Sequence, residues 1–161
     1  MEKIAVIGAL ANDKTSPLGS WRIGADDGTA VSVLEGLKVY SGNQITYAKG
    51  ADLVYGQTVF ARELDINVSD KSGFAEAKQV AKQADVVIMV LGEHGFQSGE
   101  GRSRADIDLP GVQQELLEEV YKVNKNIVLV LNNGRPLSIN WADEHIPAIV
   151  EAWHLGTQSG N

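Results

Sequence analysis

The chain has 161 residues, with 14 Lys and Arg against 21 Asp and Glu, a formal net charge of −7. That length suits one domain burying about 68–70% of its unfolded surface; 43% hydrophobic and 22% charged residues exclude a disordered chain, a collagen or a coiled coil. The acidic balance argues against nucleic-acid or anionic-membrane partners, which need clustered Lys and Arg, and the absence of cysteine excludes a disulfide frame, a thiolate metal site and a Cys nucleophile.

In chain order, Met1-Glu2-Lys3 leads straight into the apolar run Ile4-Ala5-Val6-Ile7, so no signal peptide is expected in this chain. A helical stripe follows at Ala30, Val33, Leu34 and Leu37. Gln44-Ile45-Thr46-Tyr47-Ala48 reads as a weaker strand, and Phe74, Ala77, Val80, Ala81 and Ala84 as a second helix. Val86-Val87-Ile88-Met89-Val90-Leu91 and Ile127-Val128-Leu129-Val130-Leu131 are continuous apolar runs, the pattern of strands buried on both faces of a parallel sheet. Between them a third helix starts at Pro110-Gly111, with Val112, Leu116, Leu117 and Val120 on one side. A last run covers Ala148–Trp153, and the chain stops at Gly160-Asn161 with no element following. Strand and helix in alternation give an α/β fold: a layered α/β/α sandwich with a mainly parallel sheet, flavodoxin-like in appearance. No apolar run approaches the roughly 18 residues of a membrane span.

Two connections exceed the usual 2–6 residues of an α/β unit, Gly8–Gly28 and Gly92–Gly111. Both leave strands read in the same direction, so both are expected over the carboxyl edge of the sheet, where ligands bind in open α/β folds. Gly8-Ala9-Leu10-Ala11-Asn12-Asp13 is neither a dinucleotide fingerprint nor a phosphate loop, so no nucleotide or flavin cofactor is expected. Ser98 lacks the Gly-x-Ser-x-Gly elbow. His94, His145 and His154 share no ligand spacing, so no metal is expected. Asn132-Asn133-Gly134-Arg135 reads as a turn on the crevice side.

The Gly92–Pro110 loop concentrates Glu93, His94, Glu100, Arg102, Arg104, Asp106 and Asp108. A charge-balanced solvated loop is the plain reading. Glu100, however, lies between Gly99 and Gly101, a mount that lets a ligand approach closely and suits a structural ion pair badly. Asp108 reads as a residue near the cap of the third helix.

At this loop the chain resembles the C-terminal sandwich domain of glycoside hydrolase family 3, in particular its bacterial periplasmic β-glucosidase branch. The landmarks are Lys3–Gly8, Leu18-Gly19-Ser20-Trp21, Tyr47-Ala48-Lys49-Gly50, Ala84-Asp85-Val86-Val87, Gly92-Glu93 through Glu100 to Ser103–Pro110, Leu129–Leu137, Ala152-Trp153, and Gly156-Thr157 with Gly160-Asn161. They span residues 1–161, and by this resemblance the domain is incomplete at its C-terminal end. The resemblance implies a retaining β-glycosidase in which a preceding N-terminal barrel domain, absent here, supplies an aspartate nucleophile. Glu100 falls on the general acid/base, which protonates the leaving oxygen and then activates water, about 5–5.5 Å from the nucleophile. Trp21 falls where a tryptophan stacks on the sugar or aglycone, and packing of its loop onto the sheet is the equal alternative. Glu93 and His94 are placed at the pocket, with Glu93 either orienting the loop or acting as the acid itself. Arg102, Arg104 and Asp106 are expected to brace the loop.

The resemblance further implies terminal β-D-glucosyl substrates, an oligosaccharide or β-glucoside, and a periplasmic or secreted parent. This chain alone is expected to be inactive, and to form a homo-oligomer through the surface the barrel would cover. The competing reading is a non-catalytic α/β module that binds sugar or a partner domain.

Overall fold

The computed structural model describes residues 1–22, 27–39, 42–60 and 62–161. Part of the first long loop, 23–26, lies outside the described residues. The elements run β1 (Lys3–Ile7), α1 (Val33–Val39), β2 (Gln44–Ala48), the short pair β3 (Val54–Tyr55) and β4 (Asp65–Ile66), α2 (Phe74–Lys82), β5 (Val86–Gly92), α3 (Gln113–Tyr121), β6 (Ile127–Asn132), α4 (Asn140–His145) and β7 (Ala148–Glu151). Five strands form one sheet in the order β2-β1-β5-β6-β7, every neighbouring pair parallel. Counted among themselves these strands stand 2-1-3-4-5, the flavodoxin-like arrangement. The expected α/β class and parallel sheet are therefore present.

The continuous apolar runs follow from burial on both faces. Ala5, Ile7, Val87, Met89, Leu91, Ile127, Leu129 and Leu131 point to one face and pack on Phe74, Ala77 and Ala81 of α2 and Leu116, Leu117 and Val120 of α3. Val6 and Val90 point to the other face, toward Leu10, Ala11 and Leu34. Each fully buried Leu, Ile or Met contributes roughly 1.5–3 kcal/mol. The two layers are unequal. Ala142 and Ile146, from α4 and just beyond it, join the α2–α3 face, whereas α1 and a 3₁₀ turn at Ala9–Asn12 cover the other. Among the described residues, no helix is long and apolar enough to cross a membrane.

Helix α1 has only seven residues and depends on its start. Ser32 Oγ accepts from Glu35 N at 3.1 Å, and Glu35 carboxylate accepts from Ser32 N at 2.9 Å, a reciprocal capping box. The Ser32 amide bond, with Lys14 beside it, holds the Glu35 carboxyl below its usual range. Ser32 is fully buried, so Ser32→Ala is expected to lower stability by about 1 kcal/mol, read as an earlier urea midpoint at unchanged slope.

Three local features differ from the sequence reading. The β3–β4 pair and α4 are too short, at two, two and six residues, to carry a periodic signal. Asp108 does not cap α3. The helix begins after Val112 without a side-chain cap, because Pro110-Gly111, with Gly111 at φ +67°, turns the chain between them. Asp108 instead pairs its backbone with Ser138.

Candidate active site

The long loops leave the carboxyl ends of β1 and β5, and their described residues meet where Gly99 lies against Ser20 and Trp21. Strand β5 ends at Gly92 with φ +137°, and a Cβ there would lie 2.1 Å from the Asn132 carbonyl of β6, so only glycine permits the close strand approach. The buried Gln113 amide of α3 then holds the Gly92 backbone on both sides, accepting from its N at 3.0 Å and donating to its O at 2.7 Å.

The next residue, Glu93, is 0% exposed. Its Oε1 lies 2.9 Å from Arg104 Nη1 and 2.9 Å from Arg135 Nε. Its Oε2 accepts a long bond from Gly134 N at 3.4 Å. A buried carboxylate is tolerable only when paired in this way. Arg104 also donates to the Asp108 carbonyl at 2.9 Å, and Asp106 accepts from Asp108 N at 2.9 Å. Arg135 Nη2 donates to the carbonyls of Gln97 and of Arg102, the latter at 2.7 Å. Arg102 in turn donates to the Phe60 carbonyl. The loop is thus tied to one buried charge at its root.

Glu100 stands at the crest. It is exposed, flanked by Gly99 at φ +107° and Gly101 at φ +70°, and bonds to no described residue. Gly99 lies against the first loop: a Cβ would come within 2.5 Å of Ser20 Oγ and 3.7 Å of Trp21 Nε1. Trp21 is 60% exposed. Its inner side begins an aromatic row, with Phe60 at 6.3 Å and Phe60 to Phe96 at 5.7 Å between ring centroids. The guanidinium of Arg22 covers the Phe96 ring at 3.8 Å. A cleft of about 280 Å³ opens beside Trp21, lined also by Leu18, Ser20, Ser98 and His154.

His94 is 6% exposed. Phe96 N donates to its Nδ1 at 3.1 Å, which fixes the neutral tautomer with the proton on Nε2. Burial pushes the His94 pKa down, Asp13 opposing and Arg22 assisting, and burial also lowers that of His154. Both rings bind fewer protons folded than unfolded as pH drops below about 6.5, so stability is full above that pH and declines on acidification. Guanidinium unfolding between pH 7.5 and 5 should show the decline. His94→Asn, which keeps an acceptor for Phe96 N without titrating, should make it shallower, leaving the share of His154.

The structure brings Glu93, Arg102, Arg104 and Asp106 into one bracing network, and sets Trp21 and Glu100 on the surface above it. Glu93 and His94 lie beneath that surface, at 0% and 6% exposure. The sequence reading passed over Arg135, Gln113, Arg22, Phe60, Phe96 and His154. Only the Asn133-Gly134-Arg135 segment carried a signal, its position after β6, and the turn reading missed that Arg135 reaches back to Glu93. Among the described residues, no group of three or more His, Asp or Glu could hold a metal ion.

Comparison with known proteins follows the same outline. The Glycosyl hydrolase family 3 C-terminal domain matches residues 1–161. A β-xylosidase of Formosa agariphila is 41% identical over 100% of this chain and 21% of its own length. A periplasmic β-glucosidase of Salmonella typhimurium is 38% identical over 98% of this chain and 22% of its own length. The crystal structure of a family 3 β-glucosidase from Bifidobacterium adolescentis superposes with a TM-score of 0.74 at 33% identity, covering 99% of this chain and 21% of that one. The chain therefore spans about a fifth of the length of the relatives it matches.

Proposed function

The chain belongs to the glycosyl hydrolase family 3 C-terminal domain family, and on that premise we propose that it supplies the general acid/base, Glu100, of a retaining β-glycosidase of β-glucosidase type. The supporting observation is the placement of Glu100: an exposed carboxyl, unpaired among the described residues, on a braced loop and next to the glycine packed on Trp21. A residue that must give a proton to a leaving oxygen and take one from water needs a carboxyl free of permanent partners. Glu93 is the contrasting carboxylate, fully buried between two arginines, and holds the loop. A barrel domain closing over the loop would exclude water and disfavour the charged form of a carboxyl there. It would also bring the nucleophile to about 5–5.5 Å, the retaining separation.

Trp21 offers its open face to the sugar or aglycone, where aromatic rings bury C–H surface. The relatives are named β-glucosidases, a β-xylosidase and arabinopyranosidases; terminal β-D-glucosyl units are the proposed substrate. A periplasmic or secreted parent is likewise proposed, from the Salmonella relative's name.

The expected result in a chromogenic β-glucoside assay is no turnover by the chain alone and turnover once a family 3 barrel is supplied, dependent on Glu100. Robust turnover by the chain alone, lost in Glu100→Gln, would show that the nucleophile is within this chain and overturn the division of labour.

A further inference from the structure

We infer that Arg135 is the positioning residue for Glu100, a clamp that closes the arc on which the carboxyl stands. The catalytic consequence rests on Glu100 being the acid/base; the clamp itself does not. The arc runs from Gln97 to Arg102, with Glu100 between two glycines of positive φ. Such a mount has every freedom to wander, and Glu100 bonds to no described residue that would hold it.

What restrains the arc is at its ends. One nitrogen, Arg135 Nη2, donates to the carbonyl three residues before Glu100 and to the carbonyl two residues after it, the latter at 2.7 Å. The same guanidinium is fixed from below by Glu93 Oε1, 2.9 Å from Nε. Its backbone is fixed as well, since Asn133 Nδ2 donates to the Arg135 carbonyl at 2.7 Å. Inner bonds shape the arc, Gln97 N to the His94 carbonyl at 2.8 Å and Arg102 N to the Gly99 carbonyl at 3.2 Å. Arg104 shares Glu93 but donates to Asp108, outside the arc, so the two arginines have separable tasks. A lysine at 135 would keep a cation near Glu93, but its single ammonium cannot reproduce a planar fork that reaches both carbonyls and the carboxylate.

Amide relaxation of the chain separates these tasks. In Arg135→Lys and Arg135→Ala, order parameters at Gly99, Glu100 and Gly101 should fall from about 0.85 to below about 0.6. Amides of β5 and β6 should keep theirs, and Arg104→Lys should leave the arc ordered. Should Arg135→Ala fail to fold, Arg135→Lys carries the test. In the chain joined to a family 3 barrel, Arg135→Lys should lower kcat on a β-glucoside with a poor leaving group by about 10²-fold, the cost of a misplaced reacting group. KM should stay within about twofold. An arc that keeps its order in Arg135→Lys, or is already disordered in the unaltered chain, overturns the clamp. An arc that loosens while kcat holds supports the clamp and counts against Glu100 as acid/base.

Discussion

Glu93→Ala is expected to destabilise the chain by about 3–5 kcal/mol, the cost of removing one partner from a buried ion pair. Against a total stability of about 5–15 kcal/mol for a domain, that loss is about a fifth of the total at the upper end and the whole of it at the lower. Arg104 and Arg135 would keep their charges with side chains only 21% and 18% exposed, and Gly134 N would lose its acceptor. Glu93→Gln keeps the shape and one acceptor oxygen but not the charge, so it should fall between the two. Chemical denaturation of the three proteins at pH 7.5 measures the order. A loss below about 1 kcal/mol for Glu93→Ala would place the pair among ordinary surface bridges.

Glu100→Gln is expected to show the reverse pattern. Its carboxyl is exposed and unpaired among the described residues, so stability should change by no more than about 0.5 kcal/mol. In the chain joined to a barrel domain, turnover of a β-glucoside with a poor leaving group should fall about 10²–10⁴-fold, the usual contribution of general acid–base catalysis. In kcat/KM, which reads the first step, the loss should shrink for aryl leaving groups of low pKa, which depart without a proton donor. Uniform loss of kcat/KM across leaving groups would point to a binding role for Glu100 instead.

How much of this was legible depended on whether the signal was local. The central strands were visible because burial on both faces makes Val86–Leu91 and Ile127–Leu131 continuously apolar, whereas the edge strands β2 and β7 are largely half-buried or exposed and gave weaker runs. The crevice side followed from two long loops leaving parallel strands. Glu100 drew notice as a candidate through its glycine neighbours, and the family was visible through landmarks spread along the chain. The bracing contacts were not visible, because they join residues far apart in sequence. Glu93 meets Arg135 across 42 positions by strand adjacency alone, since β5 and β6 pair in register from Val87↔Ile127 to Gly92↔Asn132. Gln113 reaching Gly92 and Phe60 joining Trp21 to Phe96 are equally nonlocal. Asp108 was misread because a turn at Gly111 displaced the helix start, which composition does not report.

The most direct test of Glu100 as acid/base uses azide on Glu100→Ala in the chain joined to a family 3 barrel. Azide attacks a covalent glycosyl intermediate without needing a base to remove a proton, so it bypasses the missing carboxyl at the second step. With an aryl β-glucoside carrying a good leaving group, the slow variant should accelerate with added azide and yield β-glucosyl azide, the configuration retained. A Glu100→Ala enzyme that hydrolyses glucosides of poor leaving groups at the unaltered rate, and ignores azide, would contradict the account.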